Sequence, residues 1–158
     1  MRRAAAGFTL LEIAIALAIL SILVVMAAPV VKLQAQREKE AELRYALREI
    51  RSALDAYKRA SDGGLIAKET YASGYPPSLD TLVYGAPNAK DPKARPIRFL
   101  RRIPRDPMST DSSLEAVATW AKRSYASPPD APSEGEDVFD VYSKSGSVGI
   151  NGIPYRQW

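Results

Sequence analysis

The sequence predicts an α+β fold: a long N-terminal transmembrane and amphipathic helix packed on a small antiparallel β-sheet domain. Three observations carry this. Phe8 to Val31 is a 24-residue run that is apolar apart from one charge, Glu12. Leu43, Leu47, Ile50, Leu54 and Tyr57 then step by 4, 3, 4 and 3, an apolar stripe at the helical period. Val138-Phe139-Asp140-Val141-Tyr142-Ser143, near the other end, has the β-branched and aromatic content of a strand.

The first segment is long enough to matter for a membrane. As a helix, Phe8 to Val31 spans about 36 Å, against about 30 Å for a hydrocarbon core. A carboxylate in such a run costs about 2.5 kcal/mol or more near the centre, so Glu12 marks function by default. The plainer alternative is an acid near enough to the helix end to reach headgroups. Upstream, Arg2 and Arg3 form a short basic leader that ends at Gly7, and Glu12 lies four residues after Phe8. A secretory signal cut near Ala27 is a rival reading. Its apolar core would exceed the usual length of about 7–15 residues, and Glu12 would interrupt it. An uncleaved anchor is the other rival.

This leader resembles the class III signal of type IV pilins and type II secretion pseudopilins. The resemblance implies cleavage between Gly7 and Phe8 by a membrane-embedded prepilin peptidase, and N-methylation of Phe8 by the same enzyme. Glu12 then matches the acidic position that sets subunit register in assembly, and Pro29 matches a proline common in the family. Elementary chemistry agrees with these assignments. Glycine has no Cβ to hinder a peptidase. A carboxylate in lipid needs a cation, and a free Phe8 amine sits at i,i+4 spacing from Glu12. A neighbouring subunit's amine satisfies the same need in a filament. Pro29 lacks an N–H, so a kink or local melting is expected just before it.

The implied organisation is a cleaved leader over 1–7, a transmembrane and filament-core helix half over 8–31, an amphipathic helix half over 32–60, and a periplasmic globular domain over 61–158. The implied location is the bacterial inner membrane, single-pass, with the C-terminal domain in the periplasm. Orientation rests on the leader alone. Only Arg2 and Arg3 precede the run, whereas Lys32, Arg37, Lys39, Arg44, Arg48 and Arg51 follow it, a bias that favours the opposite sense.

Composition narrows the function classes. The chain has 158 residues, 22 Lys+Arg and 18 Asp+Glu, which suits one compact domain beyond the anchor. Loss of Arg2 and Arg3 leaves 20 basic residues against 18 acidic, a side-chain charge of +2. That balance gives no expectation of nucleic-acid binding. There is no cysteine and no histidine, so disulfides, thiol chemistry and the usual general base are absent. Many fibre-forming type IV pilins carry a C-terminal disulfide loop, so its absence favours a pseudopilin.

In order, the amphipathic half should be one helix continuous with the first, roughly 80 Å if unbroken. Its stripe holds the globular domain, its outer face is charged, and Glu40–Arg44 makes a favourable i,i+4 pair. Ser61-Asp62-Gly63-Gly64 ends it. After Gly74-Tyr75-Pro76-Pro77, Ser78 is placed to cap a short helix through Leu82. Residues 85–97 read as a loop. Phe99 to Met108 is extended or turning because of Pro104 and Pro107, and Asp106 folds its carboxylate onto nearby N–H groups. Residues 109–137 read as an irregular segment that packs Trp120 and Tyr125 on the sheet. Ser145-Gly146 and Asn151-Gly152 are turn signals, with a second strand between them at Val148 to Ile150. The Tyr75-Pro76, Phe99–Met108 and Val138–Ser143 blocks are similar to segments of the type II secretion major pseudopilin.

That family often binds calcium in its C-terminal loop, and calcium takes six to eight oxygen ligands. Ser143 to Trp158 contains no Asp or Glu, so Asp137 and Asp140 are the candidate ligands, with a solvated acidic loop as the alternative. Arg95, Arg98, Arg101, Arg102 and Arg105 read as a solvated loop or as ion-pair partners of the acidic C-terminal region. No aromatic stacking pattern accompanies them. No catalytic residues are expected: Ser143-Lys144-Ser145 lacks the geometry of a Ser/Lys pair, and there is no phosphate loop. The chain is expected to be a structural subunit. Its implied partners are itself, minor pseudopilins, prepilin peptidase, an inner-membrane assembly platform and ATPase, and the lipid bilayer. Surface-fibre or DNA-uptake pilins, and a monomeric anchored binding protein, remain the alternatives.

Overall fold

The computed structural model describes the backbone from Thr9 to Trp158, and the side chains there apart from residues 24–29. Helix α1 covers Leu10–Asp62. The chain divides into two compact units, Met1–Glu38 and Lys39–Trp158. Within the first unit the described part is helix, its large aliphatic side chains exposed from Leu10 to Leu23 and again at Val30, Val31 and Leu33.

In the second unit the apolar stripe becomes the core. Leu43, Leu47, Ile50, Leu54 and Tyr57 are all buried, and Ala46, Ala53 and Ala60 join them on the same face. The helix ends as its glycines require. Gly64 has φ +70°, its N–H donates to Ser61 O, and the Leu65 N–H reaches back to Ala60 O at 2.8 Å. These two bonds form a Schellman motif, which satisfies the last helical carbonyls.

Helix α2 is short, Asp80–Tyr84. Ser78 does not cap it. The residue at the cap position is Leu79, and the Ser78 hydroxyl instead meets the Thr81 hydroxyl at 3.1 Å. The α2 carbonyl of Leu82 accepts from the N–H groups of both Phe99 and Leu100. The loop expected over 85–97 contains a two-residue ladder: β1 (Ala86–Pro87) pairs antiparallel with β2 (Pro96–Ile97). Gly85, at φ +93°, makes this approach feasible, because a Cβ there would lie 2.8 Å from Ile97 O.

The main ladder is β3 (Trp120–Arg123) against β4 (Asp140–Ser143), antiparallel, with Trp120 opposite Ser143 and Arg123 opposite Asp140. Strand β4 was expected; β3 falls in a segment expected to be irregular. Polar neighbours hid it, yet Trp120 is 0% exposed and donates its indole N–H to Pro104 O at 2.8 Å. The second strand expected at Val148 to Ile150 does not form. Val148 makes one isolated bridge with Pro154, and a tight turn through Gly149 and Gly152 takes up the remaining bonds.

Asp106 behaves as a buried bracket. It is 1% exposed, accepts the Met108 N–H at 2.8 Å, and accepts the Ser143 hydroxyl at 2.6 Å. One carboxyl therefore fixes a proline-rich turn and ties it to the end of β4.

The segment from Asp140 to Trp158 is held to α1 by polar contacts. Glu40, 3% exposed, accepts the Ile150 N–H at 2.7 Å and the Tyr155 hydroxyl at 3.0 Å. Arg51 donates to Asp140, to Val141 O and to the Trp158 main-chain oxygen. Arg44 lies over the Trp158 ring, 4.5 Å from its centroid. Truncating Glu40 removes the acceptor of the Ile150 N–H and of the buried Tyr155 hydroxyl, and losing such bonds costs about 1–3 kcal/mol each. Glu40→Ala should therefore lower stability by about 2–4 kcal/mol and expose the Ile150 amide to hydrogen exchange, whereas Tyr155→Phe should cost only about 1 kcal/mol. Urea denaturation and exchange of the full chain in detergent check both.

Candidate functional site

The residues singled out at the N-terminus fall in three groups. Gly7 and Phe8 lie outside the described residues. Glu12 is in the first turn of α1 and exposed. Pro29 lies within the helix, which continues through it; its side chain is outside the described set, and so is the detail of the expected kink.

The local geometry at Glu12 adds a residue that sequence reasoning passed over. Thr9 caps the helix: its hydroxyl oxygen accepts the Glu12 N–H at 3.2 Å, and its carbonyl accepts the Ile13 N–H at 3.2 Å. Thr9-Leu10-Leu11-Glu12 is the Thr-x-x-Glu pattern of a capping box, with Glu12 at the third helical position. That signal was present in the sequence. A carboxylate there also sits near the positive end of the helix dipole. Glu12 is thus placed to stabilise the start of the helix while its side chain stays available.

Among the described residues, no helix is long and apolar enough to cross a membrane. The span expected over 8–31 includes Phe8 and the side chains of 24–29, which lie outside those residues.

The two candidate calcium ligands do not make a calcium site. Asp140 is engaged by Arg51 at 2.8 Å and by its neighbour's N–H. A cation there would displace a guanidinium that also holds the chain's last residue. Asp137 accepts from the Ser124 hydroxyl and the Tyr125 N–H, both at 2.8 Å. These donors suit a carboxylate that closes a loop, and calcium needs several more oxygens than either acid commands. Among the described residues, no three acidic, histidine or cysteine side chains gather closely enough to hold a metal ion.

The arginine cluster is also organised locally. Arg95 pairs with Asp91, and Arg105 donates to the main-chain oxygens of Asp111 and Leu114. The expected pairing with the acidic C-terminal region is therefore not the arrangement at these two arginines. The acidic residues there have other partners: Glu134 pairs with Lys122, and Asp140 with Arg51.

The comparisons with known proteins bear on the N-terminus. Residues 2–28 match the prokaryotic N-terminal methylation motif. This motif marks a prepilin-type leader, the segment that type IV pilin-like chains present to prepilin peptidase, and the matched stretch contains Gly7, Phe8 and Glu12. No curated protein and no solved structure matches the chain.

Asp137 generates a pH prediction. Burial raises its carboxyl affinity for protons, but hydrogen bonds from Ser73, the Tyr125 N–H and Ser124 together hold it below the ordinary value of 3.8. A depressed folded value means that Asp137 contributes its full stability above 3.8 and loses it as pH falls through the lower folded value. Asp137→Asn should be less stable than the unsubstituted chain at neutral pH. The gap should narrow below pH 3.8 in urea melts followed by tryptophan fluorescence.

Proposed function

We propose that this chain is a structural subunit of a type II secretion pseudopilus, most like the major pseudopilin. The observation that carries the reading is the prepilin-type leader over residues 2–28, joined to a helix whose later half holds a small sheet domain. The chain waits in the inner membrane with its C-terminal domain in the periplasm. An assembly platform and ATPase move it into a short helical filament, with minor pseudopilins as further partners. The filament then drives folded proteins across the outer membrane. The subunit catalyses nothing; its work is assembly. The cysteine-free composition supports the pseudopilin over a disulfide-bearing surface pilin.

In this mechanism Glu12 is the assembly group. Inside an apolar environment its carboxylate needs a cation, and the methylated amine of Phe8 supplies one. In the membrane this is the chain's own amine, one helical turn away. In the filament it is a neighbour's amine, and exchange from one to the other selects the register in which subunits add.

Two measurements test this. Mass spectrometry of the protein from native membranes should give a chain starting at Phe8 with one added methyl. A start at Met1 or near Ala28 removes the filament mechanism. Glu12→Val should be cleaved normally and should reduce secretion at least about tenfold, since it deletes a buried charge pair. Unchanged secretion by this variant refutes the register role.

A further inference from the structure

Tyrosines crowd one region of the second unit. A cavity of about 920 Å³ lies between the end of α1, the segment over 67–77 and the turns at 124–126 and 135–137. Tyr57, Tyr71, Tyr75 and Tyr125 stand on its wall, half of the eight tyrosines in the chain. Tyr57 is buried, its ring edge-on to Phe99. Tyr75 and Tyr125 stack with centroids 5.9 Å apart, and Phe139 meets both rings edge-on at 5.0 and 5.5 Å. These contacts fix the Tyr125 ring, yet it is 62% exposed. Tyr71 is 99% exposed and meets no other ring among the described residues. Two large rings are thus held in water beside a cavity, where folding gains little from them.

The charges around this space are unequal. Its wall carries Lys68, Glu69, Glu136 and Asp137. Lys68 is taken up by Asp62 at 3.3 Å, and the same carboxylate binds Lys58 at 2.7 Å. With those two neighbours counted, two cations face four carboxylates, a charge of −2. Asp55 adds a further acid: the Tyr75 phenol is pushed above its ordinary value by burial first and then by the Asp55 charge, with Lys58 opposing. Asp137 is occupied by Ser124, the Tyr125 N–H and Ser73. Glu69 and Glu136 are exposed, and none of the ion pairs among the described residues involves either. The ring cluster already accepts a cation from within the chain, since Lys58 Nζ lies 5.7 Å from the Tyr75 centroid. Aromatic faces and unpaired carboxylates both attract positive charge, and nothing inside the chain satisfies Glu69, Glu136 or the outer face of Tyr125.

We propose that this cavity is a docking site for an arginine-bearing segment of a partner protein. The guanidinium plane stacks on the outer face of the Tyr125 ring, and Glu136 and Glu69 accept its N–H groups. Tyr71 covers the apolar stem of the side chain. Arginine fits better than lysine because its planar, weakly hydrated head stacks on rings and forks onto carboxylates. The volume is at the upper end of the range of about 300–1,000 Å³ that takes a drug-sized ligand, so it admits the arginine together with its neighbours in the segment. Every residue of the site lies in the second unit, and the inference does not rest on the filament reading.

The test uses the full-length chain in neutral detergent micelles with isotope-labelled tyrosine rings. It is titrated with an end-blocked peptide of alternating glycine and arginine, and with the same peptide carrying citrulline, which keeps the shape and removes the charge. The arginine peptide should shift the Tyr71 and Tyr125 ring signals to saturation, and the citrulline peptide should bind at least about tenfold more weakly. Tyr71→Ala and Glu136→Gln should each weaken the arginine peptide at least about threefold. Both positions are exposed, so the fold is kept. Tyr84→Ala, at a ring 74% exposed outside this cavity, should leave binding unchanged. Equal binding of the two peptides overturns the proposal and points to a neutral ligand, such as a glycan, on the rings. An equal loss with Tyr84→Ala overturns it as non-specific attraction, and so does binding indifferent to Tyr71→Ala and Glu136→Gln. The absence of any saturable shift overturns it outright and leaves the filament reading standing.

Discussion

Glu40 sits on the buried face of α1 with 3% of its surface exposed, and one of its oxygens receives both the Ile150 N–H and the Tyr155 hydroxyl. Much of the domain follows from this. Taking a carboxyl group out of water is costly unless it is paired, so the helix and the chain's last segment must be brought together or the fold is penalised. Around that contact Arg51 gathers Asp140, Val141 O and the Trp158 oxygen, and Arg44 covers the Trp158 ring. These polar contacts bind a C-terminal segment with little regular structure, in a chain that has no disulfide to bind it.

Asp106 applies the same device at the end of β4. It holds the Met108 N–H and the Ser143 hydroxyl while 1% exposed. Trp120 fills the space beside it and bonds to Pro104. The domain thus has few ladder bonds and compensates with side chains that bond to main-chain groups of irregular segments, which meets the requirement that buried backbone groups be paired.

The helical part of this design was legible in the sequence because it is periodic. The stripe from Leu43 to Tyr57 specified both the helix and its buried face, and the glycine pair marked its end. The polar brackets were less legible. Glu40 was read as one half of a surface pair with Arg44, since nothing in its neighbourhood shows that Ile150 and Tyr155 will reach it. Strand β3 was missed because four residues, two of them cationic, carry too little alternation. A second strand at Val148 to Ile150 was expected from β-branched residues, but the turn at Gly149 to Gly152 consumed the chain needed to pair it. The Thr9 cap was visible as Thr-x-x-Glu and was overshadowed by the wider pattern around Glu12. Asp137 and Asp140 were paired on paper by proximity in sequence; in the fold one closes a loop at Ser124 and the other meets Arg51.

The Glu40 contacts also set when the domain can become folded. They join residues 110 and 115 positions apart, and Arg51 to Trp158 spans 107. Loop closures of this length are paid for before any contact rewards them, which slows folding. The amphipathic half of α1 leaves the ribosome well before the partners of its buried acid, which are made 110 and 115 residues later. Until then its apolar stripe is uncovered. The N-terminal segment that carries the methylation motif is therefore exposed well before the domain can close, and the order of synthesis separates its recognition from folding in time.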